Sequence, residues 1–178
     1  MLKTLIDVRP IAETDVVLLE KRFPQGGVAK HAERFDRQQK GDATYLIAWH
    51  KGCPVGHVLL NWGGSRDEHV ARQLTTTCPD IEDLFVLAEL RSQGIGRQLI
   101  QFAETLASTR GYSFIGLSVA AETNDAARRL YERLGYRDAD FGEYVERGAH
   151  VDLHGQRHTW EETCIYLTKD LQQFGSQE

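Results

Sequence analysis

The stretch from Asp80 to Gly111 constrains this chain more than any other. An apolar strand, Leu84-Phe85-Val86-Leu87, runs into the loop Arg91-Ser92-Gln93-Gly94-Ile95-Gly96 and then directly into a helix. The two glycines let the backbone turn tightly with no Cβ in the way, so several N–H groups can converge on an anion. Ile95, Leu99, Phe102 and Leu106 recur at helical spacing, and Gly111 is placed as a C-terminal cap. The free N–H groups of the first helical turn face back toward the loop, which makes the junction a site for a pyrophosphate. A dinucleotide fingerprint would need a third glycine where Leu99 stands, and a nucleoside triphosphate loop would need Gly-Lys-Ser/Thr; neither is present.

A second signature lies downstream. Leu117-Ser118-Val119 is followed by Asn124-Asp125-Ala126-Ala127-Arg128-Arg129-Leu130-Tyr131-Glu132-Arg133-Leu134-Gly135-Tyr136. Together with the Arg-x-x-Gly-x-Gly of Arg91 to Gly96, this segment resembles the two signature motifs of the GNAT acetyltransferase superfamily, in the family's order and spacing. The resemblance is strong from Ile81 to Tyr136 and fair over Tyr45 to Asn61. It implies an α/β (α+β) fold in which a mixed, mostly antiparallel central sheet, splayed between the two motif strands, is flanked by helices. It also implies an acetyl-CoA-dependent N-acetyltransferase in which an amine attacks the thioester directly. Neither motif holds a cysteine to carry a covalent acetyl group.

Site residues follow from both readings. The amides of Gln93, Gly94, Ile95, Gly96, Arg97 and Gln98 are expected to bind the pyrophosphate of the cosubstrate, with Ser92 in the same loop and Arg91 and Arg97 adding positive charge. Backbone groups of Phe85 and Val86 would pair with the strand-like pantetheine arm. Asn124 and Tyr131 are two helical turns apart and lie along one edge of their helix. By resemblance, Asn124 would hydrogen-bond the pantetheine, Ala127 and Arg128 would lie along the cofactor, and Tyr131 would donate its phenolic proton to the coenzyme thiolate. For the base, Asp80, Glu82 and Asp83 stand just before the motif strand. Strand alternation puts Asp80 and Glu82 on the face of Leu84 and Val86, and Asp83 with Phe85. Family members often carry a glutamate at the position of Asp80 or Glu82; Glu82 is favoured, with Asp80, Asp83 and a water chain as competitors.

Composition narrows the partners. With 178 residues, 41% of them hydrophobic, the chain suits a single domain over 1–178 with a real core. A net charge of −5 supplies no basic field for nucleic acid. Cys53, Cys78 and Cys164 are few and unpatterned, which argues against a disulfide framework and suits a cytoplasmic protein. No apolar run approaches a membrane span, and no signal-peptide core follows Met1. Partners are therefore expected to be acetyl-CoA and an amine acceptor, with a homodimer left open. The acceptor is read as a small amine, with a protein or peptide amine as the alternative and a non-catalytic acyl-CoA sensor as the reading from another class.

Elsewhere the pattern predicts a first strand over Leu2 to Arg9, a helix after Thr14 or Asp15 with Val16, Leu19 and Phe23 inward, and a weakly amphipathic, mobile stretch from Ala29 to Gln39. Tyr45 to His50 and Pro54 to Asn61 read as a hairpin around Lys51-Gly52. Trp62 to Pro79 reads as an irregular connection, Tyr112 to Val119 as a central strand, and Asp125 to Leu134 as a helix closed by Gly135. Glu143 to Val151 and Thr163 to Lys169 read as terminal strands separated by His150 to Trp160, and Phe174 onward as a frayed tail. Within that separation, His150, Asp152, His154 and His158 suggest an acceptor wall or a base. No metal is expected, because no second ligand cluster accompanies them.

Overall fold

The computed structural model describes residues 5–122 and 125–172. Asn124 and the tail from Phe174 lie outside these, as do the first residues of the expected N-terminal strand. The strands are β1 (Asp7–Pro10), β2 (Ala43–His50), β3 (Cys53–Asn61), β4 (Asp80–Val86), β5 (Phe114–Ala120), β6 (Arg137–Asp138), β7 (Tyr144–Val151) and β8 (Arg157–Asp170). They form one sheet in the order β1-β2-β3-β4-β5-β8-β6, with β7 paired on β8. Among the described residues five α-helices pack around it: α1 (Val16–Arg22), α2 (Lys30–Gln39), α3 (Glu68–Gln73), α4 (Ile95–Thr109) and α5 (Asp125–Arg133). This is the mixed, mostly antiparallel sheet flanked by helices that the motifs imply. Among the described residues no helix is long and apolar enough to cross a membrane.

Among the described residues only β4 and β5 run parallel, and they pair at just Asp80 with Gly116 and Ile81 with Leu117. Beyond these rungs no further β4–β5 pairing occurs, and the strands splay between the two motifs. The loop following β4 and the segment following β5 therefore flank one opening.

The hairpin of β2 and β3 turns through Lys51 and Gly52, at φ 51° and 77°. Two successive positive φ values make this the turn whose twist matches antiparallel strands. Along β2, Leu46 and Ala48 enter the core under α4, while Tyr45, Ile47 and Trp49 enter a second core with Leu19 and Phe23 from the α1 side. Alternate side chains point to opposite faces, so a strand covered on both sides reads as a continuous apolar run. Helix α4 buries Ile95, Leu99, Ile100, Ala103 and Ala107 along one stripe. It ends as its sequence predicts, with Gly111 left-handed at φ 84°.

Four expectations are corrected. Helix α2 is pinned rather than loose, and polar contacts do the pinning. His31 is fully buried between the Tyr45 hydroxyl and the Phe23 carbonyl, both at 2.8 Å. Because a carbonyl only accepts, Nε2 carries the hydrogen and Nδ1 accepts from Tyr45. The Glu20 carboxylate accepts the N–H groups of His31 and Ala32. Asp15 does not cap α1 through its side chain; it binds Arg9 at 2.7 Å and the Ala12 N–H instead. Within the connection Trp62 to Pro79, α3 starts at Asp67, whose carboxylate accepts from His69 and Val70 N–H. Six residues are too few to display a period. Finally, His150 to Trp160 is no separator: β7 and β8 form a long ribbon up to Val151 and Arg157, closed by a turn over Asp152 to Gln156. The ribbon mixes polar side chains with exposed apolar ones such as Val145, Val151 and Trp160, so no clean apolar alternation marks it in sequence.

Candidate active site

The site is organised by a bulge in β4. His57 pairs with Phe85, but two residues further along β3 Leu59 pairs with Glu82, so β4 carries one residue too many. Asp83 absorbs the excess in a left-handed conformation at φ 51°, which aspartate tolerates better than most side chains. The expected alternation therefore fails. Leu84 and Val86 turn with Ile81 into the core beneath α4, while Asp80, Glu82 and Phe85 line the cleft on the other face. Arg34 grips Asp83 at 2.7 Å and Lys30 lies 3.7 Å from the same oxygen. Burial raises the affinity of Asp83 for a proton, but the guanidinium of Arg34, with His57 and Lys30, outweighs it and holds the carboxyl below its usual range.

On the α4 side a cleft of about 750 Å³ opens between β4, the glycine loop and α5. Ser92 and Gly94 both adopt positive φ, at 60° and 84°, which curls successive N–H groups inward as an anion-binding nest does. Among the described residues, the backbone N–H groups from Ser92 to Arg97 find no acceptor; the first intrahelical bond runs from Gln98 N–H to the Gly94 carbonyl. The Gln98 amide is therefore spent within the helix, which corrects the expectation for it, while the Ser92 N–H stays uncommitted. Arg91 and Arg97 line this cleft, joined by Arg129 and Arg133 of α5. Arg128 does not line it, since its Nε binds Glu132 at 3.1 Å. On the α5 side, Ala127 lines it.

Gly96 faces Leu130, Leu84 and Val86, whose atoms would lie 3.6–3.9 Å from a Cβ built there. A side chain at this position would stand in the space between β4 and α5. The uncommitted N–H groups, the arginines and this glycine-walled slot together fit a coenzyme diphosphate and its extended arm. Leu87 N–H bonds the Val55 carbonyl. Antiparallel alternation then commits the backbone of Phe85 to β3 and turns that of Val86 toward the splay. Phe85 is thus corrected to a side-chain role at the boundary, for it lines both clefts. The Val86 carbonyl already accepts from Arg91 Nε at 3.0 Å, which leaves its N–H for a ligand.

Tyr131 packs edge-on against Tyr136 with ring centroids 5.8 Å apart and is 7% exposed. It is not among the residues lining either cleft. Burial pushes its phenol up to about 12, so it holds its proton firmly.

The second cleft, about 740 Å³, lies across Phe85 from the first. Its floor holds Asp80, Glu82 and His57, one side holds Lys30 and Arg34, and the β7–β8 ribbon forms the far wall. Glu82 accepts from Asn61 Nδ2 at 3.1 Å, with Arg66 and Arg37 at 3.7 and 3.9 Å. Asp80 is buried with the Tyr166 hydroxyl donating to Oδ1 at 2.8 Å. Burial, reinforced by Glu82, raises its carboxyl well above the usual range. An acid that holds its proton more tightly when folded costs stability as pH climbs from about 4, its unfolded value, through its folded one. Asp80→Asn keeps an acceptor for Tyr166 and should raise Tm relative to wild type at about pH 8, with the gain vanishing toward about pH 4 in thermal melts.

His57 was not singled out from sequence. Its ring stacks on Phe85 at 5.3 Å, Nδ1 has no partner among the described residues, and burial lowers its affinity for a proton to a pKa of about 3. The one available signal was a histidine inside the apolar strand Val55 to Leu60. Lys30 and Arg34, four apart on α2, were equally missed. Of the histidine stretch, His150 lines the cleft and stacks on His158. Asp152 is consumed by its own turn, accepting from His154 and Gln156 N–H and pairing with His158 Nε2 at 2.8 Å. Among the described residues no group of three His, Cys, Asp or Glu is placed to hold a metal ion.

Residues 13–136 match the family model described as the acetyltransferase (GNAT) family. No curated protein matches in sequence. The chain is similar to an N-acetyltransferase from Staphylococcus aureus Mu50, at 19% identity and TM-score 0.68 over 94% of this chain and 99% of that one. It is similar to the ribosomal-protein-alanine N-acetyltransferase from Brucella melitensis, at 18% and 0.64 over 92% and 99%. An aminoglycoside 6′-N-acetyltransferase complexed with coenzyme A aligns at 17% and 0.59 over 93% and 97%. At such identities the likeness is one of fold.

Proposed function

Since the chain belongs to the acetyltransferase (GNAT) family, we propose that it is an acetyl-CoA-dependent N-acetyltransferase that acetylates a primary amine by direct attack in a ternary complex. The observation that carries this reading is the meeting of two clefts at Phe85: one walled by uncommitted N–H groups and arginines, the other by carboxyls. The acceptor reading is a small amine, and a neighbour of the same fold is named for an aminoglycoside.

Acetyl-CoA, when bound, supplies the acetyl thioester. Ser92 to Arg97 and the arginines hold its diphosphate, and the Val86 N–H orients its arm along the splay. Glu82 takes a proton from the acceptor's ammonium, directly or through water, and the neutral amine then attacks the thioester carbonyl. Asp80 is the poorer base, because burial inclines it to hold a proton already. Tyr131, which is not among the residues lining either cleft, is assigned by family resemblance to return a proton to the departing thiolate, for which a phenol kept neutral is suited. Asn124, in the same segment, is assigned to the pantetheine by family resemblance.

Tyr131→Phe should lower kcat about 10²-fold or more while leaving acetyl-CoA affinity within a factor of about 2, as removal of a general acid does. Thiol release across an amine panel and calorimetry with the coenzyme measure the two quantities. Unchanged turnover in the variant removes Tyr131 from the mechanism. Tight coenzyme binding without release for any amine favours a sensor over an enzyme.

A further inference from the structure

The ribbon wall of the second cleft is built from rungs of facing residues. Glu146 stands directly opposite Glu162, Gly148 opposite Trp160, and His150 opposite His158. Four of these, Glu146, Glu162, Trp160 and His150, line the cleft. The intervening rung, Arg147 with Glu161, is an ion pair at 2.7 Å, the arrangement expected of a ribbon built only for stability. Two carboxylates facing each other oppose folding instead. Burial raises the Glu146 carboxyl above its ordinary range; a hydrogen bond with Ser118 opposes the shift, and Asp67, Glu82 and Glu162 add to it.

The cations lining this cleft are already engaged. Lys30 and Arg34 sit on Asp83, Arg147 on Glu161, and Arg66 near Glu82. Among the described residues neither Glu146 nor Asp80 makes an ion pair, and the buried Asp80 accepts from the Tyr166 hydroxyl at Oδ1. A platform completes the wall. The Trp160 indole is laid across Gly148, filling the space a Cβ would need, and remains 48% exposed. A carboxylate pair beside an aromatic face is a receptor for an ammonium, which gains from the charges and from the ring.

We propose that the ribbon selects an acceptor carrying at least two ammonium groups, one presented for reaction at Phe85 and the other held by Glu146 and Glu162 against Trp160. The inference rests on the acetyltransferase reading, which places the coenzyme across Phe85. The shared chemistry is that of linear di- and polyamines and of amino sugars.

Equilibrium binding separates this inference from turnover. Cadaverine, pentylamine and kanamycin are titrated calorimetrically into the protein saturated with coenzyme A, at low salt. Cadaverine is expected to bind at least about tenfold tighter than pentylamine, a preference that added salt erodes. Kanamycin above cadaverine assigns an amino sugar, and the reverse a linear amine. Glu146→Gln should abolish the preference while leaving Tm unchanged or higher, because it removes a repulsion. Equal affinities for cadaverine and pentylamine, or a variant that loses Tm and both affinities alike, overturns the proposal. Diamine preference without thiol release from acetyl-CoA would sustain the subsite while ending the transferase reading. Release with both amines at equal kcat/KM would do the opposite.

Discussion

Gly96→Val is expected to lower acetyl-CoA affinity by about 100-fold or more while leaving Tm within about 2 °C of wild type. The fold can accept the side chain. A Cβ would meet Leu130, Leu84 and Val86 at 3.6–3.9 Å, ordinary contact distances, and φ at this glycine is not left-handed. Valine is also no worse a helix former than glycine. In the proposed mode the ligand, by contrast, has no alternative route, because its diphosphate would reach the N–H groups of Ser92 to Arg97 through the slot between β4 and α5. Calorimetry with acetyl-CoA and a thermal melt read the two effects separately. Retained affinity would mean that the coenzyme does not lie along the glycine loop, and every role assigned around that loop would fall with it.

A second glycine is expected to behave in the opposite way. Gly56→Ala should cost about 2–4 kcal/mol of stability, near the upper range for overpacking, and so lower Tm by roughly 5–15 °C. Its Cβ would stand 2.7 Å from the Phe85 carbonyl oxygen, 3.3 Å from Val86 and 3.4 Å from Leu99. The first of these is backbone, which no rotamer change can move, so β3 and β4 must separate. Because Gly56 pairs with Val86, the displacement falls at the boundary between the two clefts, and coenzyme affinity should drop as well. Gly41→Ala serves as the comparison. Its φ of 83° is strained for alanine but no atom lies within 4 Å, so only about 1–2 kcal/mol is expected. Denaturant melts of both variants test the contrast. Equal losses would show that the close approach at Gly56 carries no weight.

Much of the coenzyme side was legible because it is made of local chemistry. A strand, two glycines and a helix start specify where N–H groups are left over, and those are properties of neighbours in sequence. The residues of the opposite cleft come from β3, β4, α2, β5 and the ribbon, and each such element is polar for reasons that sequence does not separate. The aspartate at position 83 illustrates the difficulty. Nothing marks it as a bulge in the linear order, yet one extra residue there reverses the facing of Asp80 and Glu82 relative to Leu84 and Val86. The α5 arginines show the same limit on a helix. Arg128 and Arg129 are adjacent and alike, but one residue is about 100° of rotation, which sends one to Glu132 and the other to the cleft.

What the amino-acid order determined by itself was the fold family and the loop whose N–H groups stay uncommitted, because each rests on short-range spacing and backbone preference. What only the tertiary structure decided was which carboxyls share a cavity, that Tyr131 is packed against Tyr136, that His31 anchors α2, and that Glu146 faces Glu162 across a ribbon. These depend on register and on contacts between residues distant in the chain, and a one-residue slip in a strand exchanges its two faces.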